Sequence, residues 1–79
     1  MNYSKRKVFV FETIRNMEES KKTTELLREN GFFVSDFPID DTIYPEIVYN
    51  GIRVYYGLDG ARKLIKEVKR EEEYLSKKK

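Results

Sequence analysis

The chain has 79 residues, with sixteen Lys plus Arg against fourteen Asp plus Glu for a net charge of +2, and it contains no Cys, His, Trp or Gln. That length accommodates one domain, read here as residues 1–79 with a core over about 7–73 and a basic C-terminal tail over 74–79. Without Cys there are no disulfides, thiolate nucleophiles or thiolate metal ligands. Without His the commonest general base and transition-metal ligand is missing too.

Apolar residues make up 39% and charged residues 38%, so the core is modest and oligomerisation is a natural supplement. The Lys/Glu richness resembles hyperthermophile usage, pointing to a hyperthermophilic archaeon or one of its viruses. No apolar run has the length of a signal-peptide core or a membrane span. A soluble cytoplasmic chain is expected, in the host cytoplasm if the source is viral.

Residues 7–14 are β-branched and aromatic almost without interruption, which predicts a central strand with Val8 and Val10 on one face and Phe9 and Phe11 on the other. Asn16 followed by Glu19 is a capping box, so a helix is predicted from Met17 to about Asn30, with Gly31 as its left-handed C-terminal residue. Its apolar stripe is thin: Met17, Leu26 and Leu27, with Ser20, Thr23 and Thr24 between.

Phe32 to Phe37 predicts a second strand, which makes a right-handed βαβ unit with parallel strands. Pro38 to Tyr44 is a connector. Glu46–Tyr49 and Ile52–Tyr56, joined by Asn50-Gly51, predict an antiparallel hairpin with a two-residue type I′ turn. A final helix opens near Gly57, with Asp59 as N-cap and an apolar face of Ala61, Leu64, Ile65, Val68 and Leu75. Lys77-Lys78-Lys79 reads as a frayed end.

The order β-α-β-β-β-α resembles the thioredoxin fold, and three segments resemble its glutaredoxin branch. These are Val8–Phe11 leading into a helix that ends Leu26-Leu27-Arg28-Glu29-Asn30-Gly31; the stretch Thr42-Ile43-Tyr44-Pro45-Glu46-Ile47-Val48-Tyr49-Asn50-Gly51; and the turn Tyr56-Gly57-Leu58-Asp59-Gly60. The resemblance implies an α/β domain with a four-stranded mixed sheet in the order 2-1-3-4 and both helices on one face. It also implies a cis peptide bond before Pro45.

The departures from the family decide the expected activity. The Cys-x-x-Cys of glutaredoxins falls on Met17-Glu18-Glu19-Ser20, so Met17, Ser20, Tyr44 and Pro45 mark a degenerate active site. A thioether cannot form a mixed disulfide. No enzymatic activity, cofactor or metal is expected. The resemblance offers Tyr44, Gly57 and Asp59 as ligand or peptide contacts, although Gly60 replaces an acidic residue that helps hold glutathione; separately, the helix N-terminus with Arg15 close by could hold an anion.

Family members usually carry a further helix between the second strand and the proline, and Pro38–Tyr44 is too short for one. Phe9 and Phe11 would then lie under water, and a homodimer covering them is expected. The resulting reading is a non-catalytic glutaredoxin-like protein that works by protein–protein contact. The alternative is a small nucleic-acid-binding protein, with Tyr44, Tyr49, Arg53 and Tyr55 stacking bases while Lys5-Arg6-Lys7 and the terminal lysines follow phosphates. Asp40 and Asp41 are read as solvated connector residues rather than metal ligands.

Overall fold

The computed structural model describes residues 6–39 and 42–77. Asp40, Asp41, Lys5, Lys78 and Lys79, which figure in the expectations above, lie outside the described residues. The elements are β1 (Lys7–Thr13), α1 (Met17–Glu29), β2 (Phe33–Ile39), β3 (Glu46–Tyr49), β4 (Arg53–Tyr56) and α2 (Gly57–Lys77), with a single 3-10 turn, Ile14–Asn16, before α1. The sheet order is β2-β1-β3-β4, with β1 parallel to β2 and antiparallel to β3, and β3 antiparallel to β4. No helix among the described residues is long and apolar enough to cross a membrane.

Strand alternation sorts the sheet into two faces. Val8, Val10, Ile47 and Tyr49 point to the helices, where they bury with Leu27 of α1 and with Ala61, Leu64, Ile65 and Val68 of α2. The thin apolar stripe of α1 suffices because its small polar residues satisfy themselves. Ser20, Thr23 and Thr24 are buried, and their hydroxyls donate to the carbonyls of Asn16, Glu19 and Lys21 at 3.0, 2.7 and 2.9 Å. The helix ends in a Schellman arrangement: Gly31 at φ +86°, its N–H on Arg28 O and that of Phe32 on Leu27 O, both at 3.1 Å.

Several expectations are corrected. Pro38 belongs to β2 and pairs with Glu12; its missing N–H is tolerated because β2 is an edge strand. Leu75 is exposed rather than on the buried side of α2, and Lys77, expected to begin a frayed end, is the last residue of α2. Every peptide bond among the described residues is trans, so the Tyr44–Pro45 bond is not cis. Trans is the intrinsically preferred isomer, and the chain reverses through a bend at residues 43–44 before Pro45.

The hairpin contains one residue more than a two-residue turn allows. Asn50 and Gly51 both have positive φ (57° and 74°), as a type I′ turn requires. Yet Tyr49 pairs with Arg53, so Ile52 is extra and stands 82% exposed outside the ladder. A shift of one residue exchanges the faces of a strand. Arg53 and Tyr55 therefore turn toward the helices, and Val54 and Tyr56 turn away from them.

Candidate functional site

The positions expected to mark a degenerate active site gather where both helices begin. Asn16 caps α1, its Oδ1 accepting from Glu19 N–H at 3.3 Å. The Glu19 carboxylate does not return to the Asn16 backbone as a full capping box would. Its Oε1 accepts from the Asn16 side-chain amide at 3.3 Å, and its Oε2 accepts from the backbone N–H of Leu58 at 3.0 Å. Glu19 thus closes the first turn of α2, the role expected of Asp59. Asp59 instead has a 99% exposed side chain that meets Arg62 at 3.2 Å, because α2 already starts at Gly57 and leaves Asp59 inside its first turn.

Gly57 makes this crossing possible. It sits at φ +70°, donates to Pro45 O at 2.9 Å, and a Cβ there would lie 2.5 Å from Glu19 Oε2. Met17 is half-buried at the first position of α1, while Tyr44 and Arg15 are exposed and Pro45 is buried. Ser20 is fully buried, and its Oγ accepts from Thr13 N–H at 3.0 Å, tying the end of β1 to α1. Thr13 in turn donates its hydroxyl to Thr42 O, anchoring the connector.

An open groove of about 280 Å³ lies beside this junction, lined by Asn16, Glu18, Glu19, Lys22 and Leu58. Its one cation, Lys22, is 3.4 Å from Glu18. The α2 amide that could have received a ligand carboxylate already holds one from the chain itself. Among the described residues no group of three or more acidic side chains is placed to share a metal ion.

Of the residues expected to stack nucleic acid, Tyr44 is exposed in the connector, whereas Tyr49, Arg53 and Tyr55 are committed to the helix side. Tyr49 is 6% exposed, edge-on to Phe32 with ring centroids 6.0 Å apart. The Arg53 guanidinium lies 5.8 Å from the Tyr49 ring centre and pairs with Glu71 of α2 at 2.6 Å. Tyr55 donates to Glu67 at 2.5 Å; burial first, and this bond second, push its phenol above the ordinary value. Tyr49 faces inward through its pairing with Val8 of β1, and the extra hairpin residue turned Arg53 and Tyr55 to the same side, so the surface expected from Tyr49, Arg53 and Tyr55 is not assembled.

No family model, curated protein or solved structure matches this chain. Its own geometry therefore carries the functional reading, and the most distinctive feature is the sheet face opposite the helices.

On that face Phe9 is 47% exposed, Phe33 57% and Phe37 45%. The Phe37 ring stacks on Phe11 with centroids 5.9 Å apart and lies 6.1 Å from Phe9. Val54 and Tyr56 extend the exposed apolar surface across β4. Sequence reasoning reached Phe9 and Phe11 but missed Phe33, Phe37, Val54 and Tyr56. Parallel pairing in register, with Phe11 beside Phe37 and Lys7 beside Phe33, brings the β2 aromatics to the same face. The signal was present in the Phe33-Val34-Ser35-Asp36-Phe37 alternation, but its facing depends on which strand it joins.

Proposed function

We propose that this chain is a non-redox protein of glutaredoxin-like fold that acts by binding another polypeptide through its open sheet face. The observation that carries the reading is the ribbon of exposed aromatic and aliphatic side chains, Phe9, Phe33, Phe37, Val54 and Tyr56, on one face of a four-stranded sheet. Soluble monomers rarely expose contiguous apolar patches of more than a few hundred Å² without using them. At roughly 25 cal/mol per Å², covering such a patch yields several kcal/mol. The segment between β2 and β3 is too short to supply a covering helix. The sheet order and the placement of both helices on one face support the fold resemblance; Met17 and the buried, hydrogen-bonded Ser20 at the redox positions support a non-redox role.

The test places a photo-crosslinking residue at Phe37 and, as a control, at exposed Lys63 on α2, in the host cell. The position at Phe37 should give one defined polypeptide adduct and the position at Lys63 none. Absence of an adduct at Phe37 would sink the reading. Glutathione–disulfide reductase activity in the purified chain would overturn its non-redox part.

A further inference from the structure

The open face is laid out in rows across the strands. Phe37, Phe11, Glu46 and Tyr56 form one row; Ser35, Phe9, Val48 and Val54 form the next; Phe33 and Lys7 begin a third. The charged members of these rows are Lys7 and Glu46, of opposite sign and at opposite ends of an otherwise uncharged surface. Neither is in an ion pair among the described residues.

We propose that the occupant of this face is a second copy of the chain, stacked face to face with strands antiparallel, so that Lys7 of each copy meets Glu46 of the other. This rests on the reading of the face as a protein-contact surface. A two-fold axis running across the strands through the middle row sets Phe9 on Phe9 and Val48 on Val48. It also lays the Phe37 row of each copy over the Phe33–Lys7 row of its partner, with Phe37 over Phe33 and Lys7 over Phe11, one strand, about 4.8 Å, from the partner's Glu46. A self-complementary patch of this kind is what a closed dimer requires.

The charge pattern selects this arrangement over the others. An axis along the strands would press the Glu46 carboxylate against Phe11 of the second copy and leave Lys7 without an anion. A wholly apolar partner would bury the same carboxylate uncompensated, which is strongly unfavourable. The antiparallel stack pairs both charges twice, at the rim of an aromatic centre, the usual anatomy of a specific interface.

The size of the face is adequate. Four strands about 4.8 Å apart and averaging roughly 15 Å in length span about 300 Å² in projection on each copy. With side-chain relief, the two faces together reach the roughly 1,000 Å² at which specific interfaces begin. An association at the lower limit of interface size should be reversible and dependent on concentration.

Sedimentation equilibrium on the intact chain tests this, using the Lys7→Glu and Glu46→Lys single variants, the double variant combining them, and Phe37→Lys. The chain should be a dimer that dissociates at micromolar concentration. Each single charge reversal should weaken it about tenfold or more by setting like charges opposite each other, and the double variant should recover it. Circular dichroism accompanies each variant, and recovery in the double variant separates lost association from lost folding.

A monomer at millimolar concentration overturns the second copy as occupant. The face itself then stands or falls on the cross-linking result. A dimer that Phe37→Lys dissociates but the double reversal does not restore overturns the antiparallel arrangement and leaves the contact face standing. A dimer indifferent to Phe37→Lys overturns both.

Discussion

The contact between Glu19 and Gly57 makes a quantitative prediction about how the two helices are joined. Glu19→Ala removes the acceptor from Leu58 N–H but leaves the α1 cap intact, because Asn16 Oδ1 binds the Glu19 backbone amide. Loss of a helix cap of this kind costs about 1 kcal/mol. Gly57→Ala meets two obstacles. At φ +70° an alanine is strained by about 1 kcal/mol. In addition, its Cβ would lie 2.5 Å from Glu19 Oε2. The carboxylate is the free end of a flexible side chain and would swing away, so the second obstacle amounts to the same lost cap, about 1 kcal/mol more.

The single variants should therefore lose about 1 and about 2 kcal/mol, and the double variant about 2 rather than the additive 3, a coupling of about 1 kcal/mol. Urea denaturation of the four proteins measures this directly. The parallel thermal shifts should be about 4–8 °C per kcal/mol for a domain of this size. Losses that add within about 0.3 kcal/mol would refute the idea that Gly57 is glycine in order to admit Glu19.

Other side chains support further tests. Ser20→Ala orphans the buried Thr13 N–H and should cost about 1–3 kcal/mol by denaturation, while Met17→Leu at the half-buried start of α1 should be nearly silent. Tyr55→Phe should cost about 1 kcal/mol or less, since it removes the donor to Glu67 and leaves a half-exposed carboxylate. Glu12 is raised above its ordinary 4.5, first by burial and then by Asp36. A carboxyl raised on folding contributes stability below its unfolded pKa and loses that contribution as pH rises through its folded pKa. Glu12→Gln should therefore be more stable than the parent at neutral pH, by a few tenths of a kcal/mol for so solvated a group. That advantage should shrink as pH falls toward 4, a trend that denaturation midpoints against pH would show.

The mutual arrangement of groups proved harder to read in the sequence than the elements themselves. Local chemistry names its own elements: Asn16 and Gly31 bound α1, Asn50-Gly51 makes the hairpin, and the spacing of Ala61, Leu64, Ile65 and Val68 fixes the buried side of α2. These signals lie within a few residues of what they control. The mixed sheet in the order 2-1-3-4 and its bare Phe9–Phe11 side are reached through the resemblance to the glutaredoxin layout, with its missing helix, rather than from local chemistry.

Contacts between distant segments needed the tertiary structure. Glu19 caps α2 from a position 39 residues earlier in the chain, and no local pattern announces that reach. The hairpin shows the same limit at a finer scale. Composition placed Arg53 and Tyr55 on one side and Val54 on the other, but which side faced the helices turned on a single extra residue, Ile52. The pull of Glu67 and Glu71 on α2, together with the Tyr49 ring, favours the register in which Tyr55 and Arg53 are inside. Because side chains alternate along a strand, that one-residue choice turned Arg53 and Tyr55 toward the helices and delivered Val54 and Tyr56 to the aromatic face.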